Sequence, residues 1–104
     1  MLGELEQIVL LAILRVGKDA YGVPVAAEIE RRTGRELTLA TVYKTLSRLE
    51  EKGLLVSREG EPTAQRGGRR KRYYQLSPAG KLSLKHSLGA LSRMTSGLQV
   101  GWEL

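Results

Sequence analysis

Apolar residues in the first third of the chain recur at helical spacing. Leu5, Ile8, Val9, Ala12 and Val16 fall on one face of a helix over residues 4–16, with Leu11, Ile13 and Leu14 filling out the rest. A helix apolar nearly all round must be covered on more than one side. In a chain this short, a second subunit can supply the second cover. Residues 22–33 repeat the period, with Val25, Ala26 and Ile29 inward and Glu28, Glu30, Arg31 and Arg32 outward. Pro24 suits the first turn, where its missing N–H costs nothing, and Gly34 is the stop.

The stretch ELTLATVYKTLSRLEEKGLL predicts a third helix, with Leu39, Val42, Leu46 and Leu49 on its apolar face. Thr38 is a good N-cap, because its hydroxyl can accept a free backbone N–H. Gly53 ends the helix in the left-handed conformation that other residues resist. The opposite face shows Thr41, Lys44, Thr45 and Arg48, with Ala40 beside them.

The period then changes. Residues 54–59 predict a strand with Leu54 and Val56 on one face, and residues 71–76 a second with Tyr74 and Leu76 on one face. GEPTAQRGGR between them is rich in turn residues, so the simplest join is a hairpin with a long basic tip. Ser77-Pro78 opens a last helix, Ser as N-cap and Pro in the first turn. Leu84, Leu88, Leu91 and Leu98 follow at spacings of four, three and seven. Gly89 and Gly97 weaken this helix by about 1 kcal/mol each relative to Ala, so it needs packing partners. Three helices followed by a hairpin give a mainly α fold with a small β-hairpin. The layout is that of a winged helix-turn-helix over residues 1–77, followed by a C-terminal dimerisation helix and tail over residues 78–104.

Charge sharpens this picture. Residues 1–37 carry net −1, residues 38–85 net +7, and residues 86–104 net zero. Arg66, Arg69, Arg70, Lys71 and Arg72 put five positive charges into seven residues with no carboxylate among them. Unevenly placed positive charge is the electrostatic footprint of a nucleic-acid binder, although a solubilising surface has the same composition. The third helix fits a major groove about 12 Å wide, with the hairpin reaching neighbouring phosphates. Thr38, Thr41, Lys44 and Arg48 are the candidate DNA contacts on the helix, and Arg66, Arg69, Arg70 and Lys71 those on the hairpin. Arg72 can share the inward face of Tyr74 or pair with a carboxylate. Tyr73 and Tyr74 are expected to pack the hairpin.

Other chemistry finds little support. The chain has no Cys and one His, His86, too few ligands for a thiolate zinc site. One His and one Asp, Asp19, do not readily supply a hydrolytic triad. Gly67-Gly68 lacks the spacing and following helix of a phosphate loop. Glu4 and Glu6 precede the first apolar run, where a secretory signal would want positive charge, and no run reaches membrane-spanning length. The expectation is a cytoplasmic, non-enzymatic protein with no cofactor and no membrane partner. RNA binding would favour more exposed aromatics than four Tyr and one Trp provide. A winged-helix protein-interaction module is the competing class, and it has no need of +7 on residues 38–85.

The ordered set Tyr21-Gly22, Thr33-Gly34, Thr41-Val42-Tyr43, Leu46, Leu49 to Leu54, Arg72-Tyr73-Tyr74, Leu76 and Gly80 resembles the PadR family of bacterial transcriptional regulators over roughly residues 3–85. Pro24 departs from that pattern. The resemblance implies a homodimeric repressor of the short, single-domain type that binds a palindromic operator in double-stranded DNA. It implies that Tyr43 contacts the DNA backbone. It also implies dimerisation of the last helix on the partner's first helix, here through Leu5, Val9, Leu84, Leu88, Leu91 and Leu98. Some short relatives bind flat aromatic molecules between subunits through a tryptophan, which makes Trp102 the candidate contact for a small aromatic effector.

Overall fold

The computed structural model describes residues 2–62 and 70–102. The order is α1 (Glu4–Val16), a 3-10 turn (Gly17–Asp19), α2 (Gly22–Thr33), α3 (Leu39–Glu51), β1 (Leu55–Pro62), β2 (Arg70–Leu76) and α4 (Pro78–Thr95). Each boundary has a local cause. The Thr38 hydroxyl accepts from Thr41 N at 3.1 Å and caps α3. Gly34 and Gly53 take φ of 73° and 76°, where a side chain would be strained. At the start of α4, the Ser77 hydroxyl accepts from Gly80 N at 3.0 Å and donates to the Gly53 carbonyl at 2.6 Å. One buried serine thus starts α4 and binds it to the end of α3.

The core joins all the layers: Val9, Leu10, Ala12 and Ile13 of α1, Val25 and Ile29 of α2, Val42, Leu46 and Leu49 of α3, Leu55, Tyr74 and Leu76 of the hairpin, and Leu84 of α4. α4 leaves it early. Gly80 lies so close to the chain before β1 that a Cβ there would fall 2.0 Å from the Leu54 carbonyl oxygen. Leu84 and Ser87 are buried, but from Leu91 to Gln99 every residue is exposed. The end of α4, from Leu91 to Thr95, therefore projects beyond the protomer's core.

Several expectations are corrected. Leu55, not Leu54 with Val56, is the buried residue of β1, and Val56 is exposed. Leu39 is largely exposed at the start of α3, and Thr45 is buried on the core side, its hydroxyl donating to the Thr41 carbonyl at 2.9 Å. Val9 and Leu84, expected at a subunit interface, are fully covered by the protomer's own core and present no surface to a partner. Leu98 lies beyond the end of α4.

The hairpin is antiparallel, pairing Leu55 with Leu76, Ser57 with Tyr74, Arg58 with Tyr73 and Glu59 with Arg72. Between Glu59 and Pro62 the register shifts, so Gly60 and Glu61 stand against Lys71 alone. This extra residue is a β-bulge, which bends and twists the hairpin.

Candidate nucleic-acid interface

Helical spacing sorts the outward residues of α3 into three lines. Ala40, Lys44, Ser47 and Glu51 form the outermost one, and all four are exposed. Thr41, Arg48 and Lys52 flank it toward α1, where Lys52 Nζ donates to Glu6 Oε2 at 2.7 Å. Tyr43 and Glu50 flank it toward α2 and the hairpin. Lys44 and Arg48 have no carboxylate partner among the described residues. Thr38 is exposed, and Thr41, half-buried, accepts a second bond from the Thr38 hydroxyl at 2.9 Å. The sequence reading omitted Ser47; its three-residue step from Lys44 was the signal.

Tyr43 is half exposed, its ring across Gly22 at the start of α2. That contact links α3 to the start of α2, next to Tyr21. Tyr21, the next residue back, meets the Tyr73 ring edge-on with centroids 5.7 Å apart. Lys71 Nζ stands 4.6 Å from the Tyr21 centroid, and the Arg58 guanidinium 4.6 Å from that of Tyr73. Tyr74 N donates to the Ala20 carbonyl at 2.8 Å, and Arg58 reaches the Lys18 carbonyl at 3.2 Å. The outer face of the hairpin is thus fixed to the connection between α1 and α2. Tyr21 and Arg58 are the participants that sequence reasoning did not place.

The basic run divides. Arg66 and Arg69 lie outside the described residues. Arg70 is exposed, with a loose pair to Glu59 at 3.9 Å. Lys71 is half-buried over Tyr21, so its charge already faces an aromatic ring. Arg72 points to the Tyr74 face, where it meets Ser57 at 2.9 Å and Glu59 at 3.4 Å. Burial pushes the Tyr74 hydroxyl above its usual value, and the Glu50 charge adds to this. No group of three or more His, Cys, Asp or Glu that could hold a metal occurs among the described residues, nor any helix long and apolar enough to cross a membrane.

Residues 10–86 match the transcriptional regulator PadR-like family. The chain belongs to this family. A PadR-like regulator of this kind has curated relatives in an uncharacterized protein of Lysinibacillus sphaericus, 37% identical over 84 residues, 79% of this chain and 72% of the relative, and in the transcriptional regulator Rv3488 of Mycobacterium tuberculosis, 34% identical over 76 residues, 73% of this chain and 66% of the relative. A solved transcriptional regulator from Clostridium thermocellum superposes with a TM-score of 0.73 at 25% identity, covering 88% of this chain and 85% of that one. The PadR-like fold here is a winged helix-turn-helix, with α2 and α3 as its two helices and the hairpin as its wing. The family and this solved relative are transcriptional regulators rather than enzymes.

Proposed function

We propose that the protein is a sequence-specific DNA-binding regulator, acting as a homodimeric repressor on a palindromic operator. The observation that carries the reading is Lys44, unpaired among the described residues on the outermost line of a Thr-capped helix whose flank meets the hairpin through Glu50 and Ser57. Phosphate contacts from Arg66, Arg69, Arg70 and Lys71 supply affinity, and the start of α3 supplies the choice of bases. Thr38, Thr41, Tyr43, Lys44 and Arg48 enter or border the major groove, with Ser47 beside them. The two reading helices of a dimer then lie about 34 Å apart, one turn of DNA.

The dimer is supported by what α4 leaves uncovered. Leu88, Leu91, Met94 and Leu98 are exposed, as is Leu14 of α1. Most helical stability in proteins comes from packing of an apolar face, and this end of α4 has none from its own core. A partner's α1 or α4 covers this stripe, with Leu5 at its margin. A small aromatic effector acting through Trp102, an exposed residue, belongs to the same reading.

The test is a gel-shift titration with the DNA upstream of the protein's own gene, at stated salt. Wild type binds, and Lys44→Ala binds more weakly with its fold intact. Equal affinity for both would refute the assignment of α3. Failure to bind any duplex would favour a protein-docking role for the hairpin instead.

A further inference from the structure

One line of polar groups joins the wing directly to the reading helix. The Ser57 hydroxyl, on β1, donates to Glu50 Oε2, on α3, at 2.6 Å. Ser57 Oγ in turn accepts from Arg72 Nη1, on β2, at 2.9 Å, and Arg72 Nη2 reaches Glu59 at 3.4 Å. Ser57 and Glu59 stand across the ladder from Tyr74 and Arg72, so all of these side chains share the inner hairpin face. The outer face is fastened elsewhere, to residues 18–21.

From this line we infer that Ser57 is a positioning residue for DNA recognition, with Arg72 and Glu50 as its two partners. Through it the wing takes its angle from α3. The inference rests on the DNA-binding reading above. Its physical basis is the asymmetry of the partners. A hydroxyl between a carboxylate and a guanidinium makes one charge-assisted bond in each direction, and such bonds are stronger than neutral ones. Arg72 is held by two acceptors of its own protomer, so its guanidinium does not project toward a phosphate as Arg70 can. Within one basic run, Arg72 therefore sets the geometry and other members make the contacts. Arg70 stands two residues away on the same side of the strand, but its pair to Glu59 is looser, at 3.9 Å, and it makes no bond to Ser57. The bulge at Gly60 and Glu61 lies just beyond the Glu59–Arg72 pair, so the line stiffens the hairpin up to the point where it bends.

The experiment compares wild type with Ser57→Ala, Arg72→Gln, the double variant, and Ser57→Thr, which keeps the hydroxyl. Amide hydrogen exchange across β1 and β2 is read without DNA, and binding to a random-sequence duplex is read as a function of salt. Ser57→Ala and Arg72→Gln should each speed hairpin exchange by about fivefold or more, as loss of a bond to a charged group implies. The double variant should be affected by less than the sum of the two singles, because both changes remove the Ser57–Arg72 bond. Ser57→Thr should restore wild-type exchange. Ser57→Ala should also weaken duplex binding although it removes no charge. Unchanged exchange in both single variants would overturn the inference. So would an Arg72→Gln variant that loses about 0.9 from the salt slope, the mark of a lost phosphate contact, while Ser57→Ala binds normally. A wild-type protein that binds no duplex, with the exchange coupling intact, would refute the DNA reading and establish the coupling alone.

Discussion

The ring of Tyr43 lies across Gly22 so closely that a Cβ on the glycine would stand 2.5 Å from the ring. The first turn of α2 and the flank of α3 share a space that only glycine leaves open. Gly22→Ala must displace Tyr43 or the turn beneath it. Overpacking of this kind costs about 1–3 kcal/mol, so thermal unfolding should shift down by several degrees. The half-exposed ring can swing away, and an unchanged melting temperature would mean that it does so freely. In that case DNA affinity, not stability, should register the change, since Tyr43 is proposed to face the backbone.

Ser77 serves two elements at once. Its hydroxyl caps α4 and donates to the last turn before β1. Ser77→Ala should therefore cost about 1–2 kcal/mol, the upper range for an N-cap. Denaturant titration would show a lower midpoint with an unchanged slope. A loss below a few tenths would indicate that water replaces both bonds.

Glu6 makes stability depend on pH in a defined direction. The Lys52 hydrogen bond holds its carboxyl below the ordinary 4.5, with help from the Gly3 N–H. A depressed folded value means the stabilisation is present above the unfolded value and disappears as pH falls through the lower, folded one. The wild type should therefore lose this contribution only below about pH 4.5. Lys52 is nearly half exposed, so the pair contributes modestly, about 1 kcal/mol. Glu6→Gln should lower stability at neutral pH by that amount and flatten the acid limb of the profile. A parallel shift at every pH would contradict the assignment.

The dimer proposal makes its own demand. Leu88→Glu with Leu91→Glu places two charges on the exposed stripe of α4 without touching the core, which ends at Leu84 and Ser87. Sedimentation should then report a monomer with intact helices and weakened operator binding. A wild-type protein that is already monomeric, or a variant that stays dimeric, would send the interface elsewhere.

How much was legible beforehand follows from how local each signal is. Thr38, Ser77-Pro78, Gly34 and Gly53 act through groups a few residues away, and the helix ends fall where they point. The face of β1 was misjudged because Leu54, Leu55 and Val56 form an apolar run with no alternation to fix the register. Thr45 looks polar by type, but its hydroxyl is satisfied by the turn behind it, so burial costs little. Val9 and Leu84 had the right spacing for an interface, and only tertiary packing reveals that their own protomer covers them. The Tyr21–Tyr73 contact joins residues far apart in the chain, beyond the reach of any periodicity. Arg72 illustrates both sides: a pairing with a carboxylate was foreseeable from strand alternation, but the part played by Ser57 was not.

The most direct test of the central claim, that the exposed line of α3 and the basic wing engage duplex DNA, is the salt dependence of binding for wild type and Lys44→Ala side by side. The account predicts a steep fall in wild-type affinity with salt, and a slope reduced by about 0.9 if Lys44 meets a phosphate or unchanged if it meets a base, with weaker binding in either case. An affinity indifferent to salt, or identical in the two proteins across the range, would contradict it.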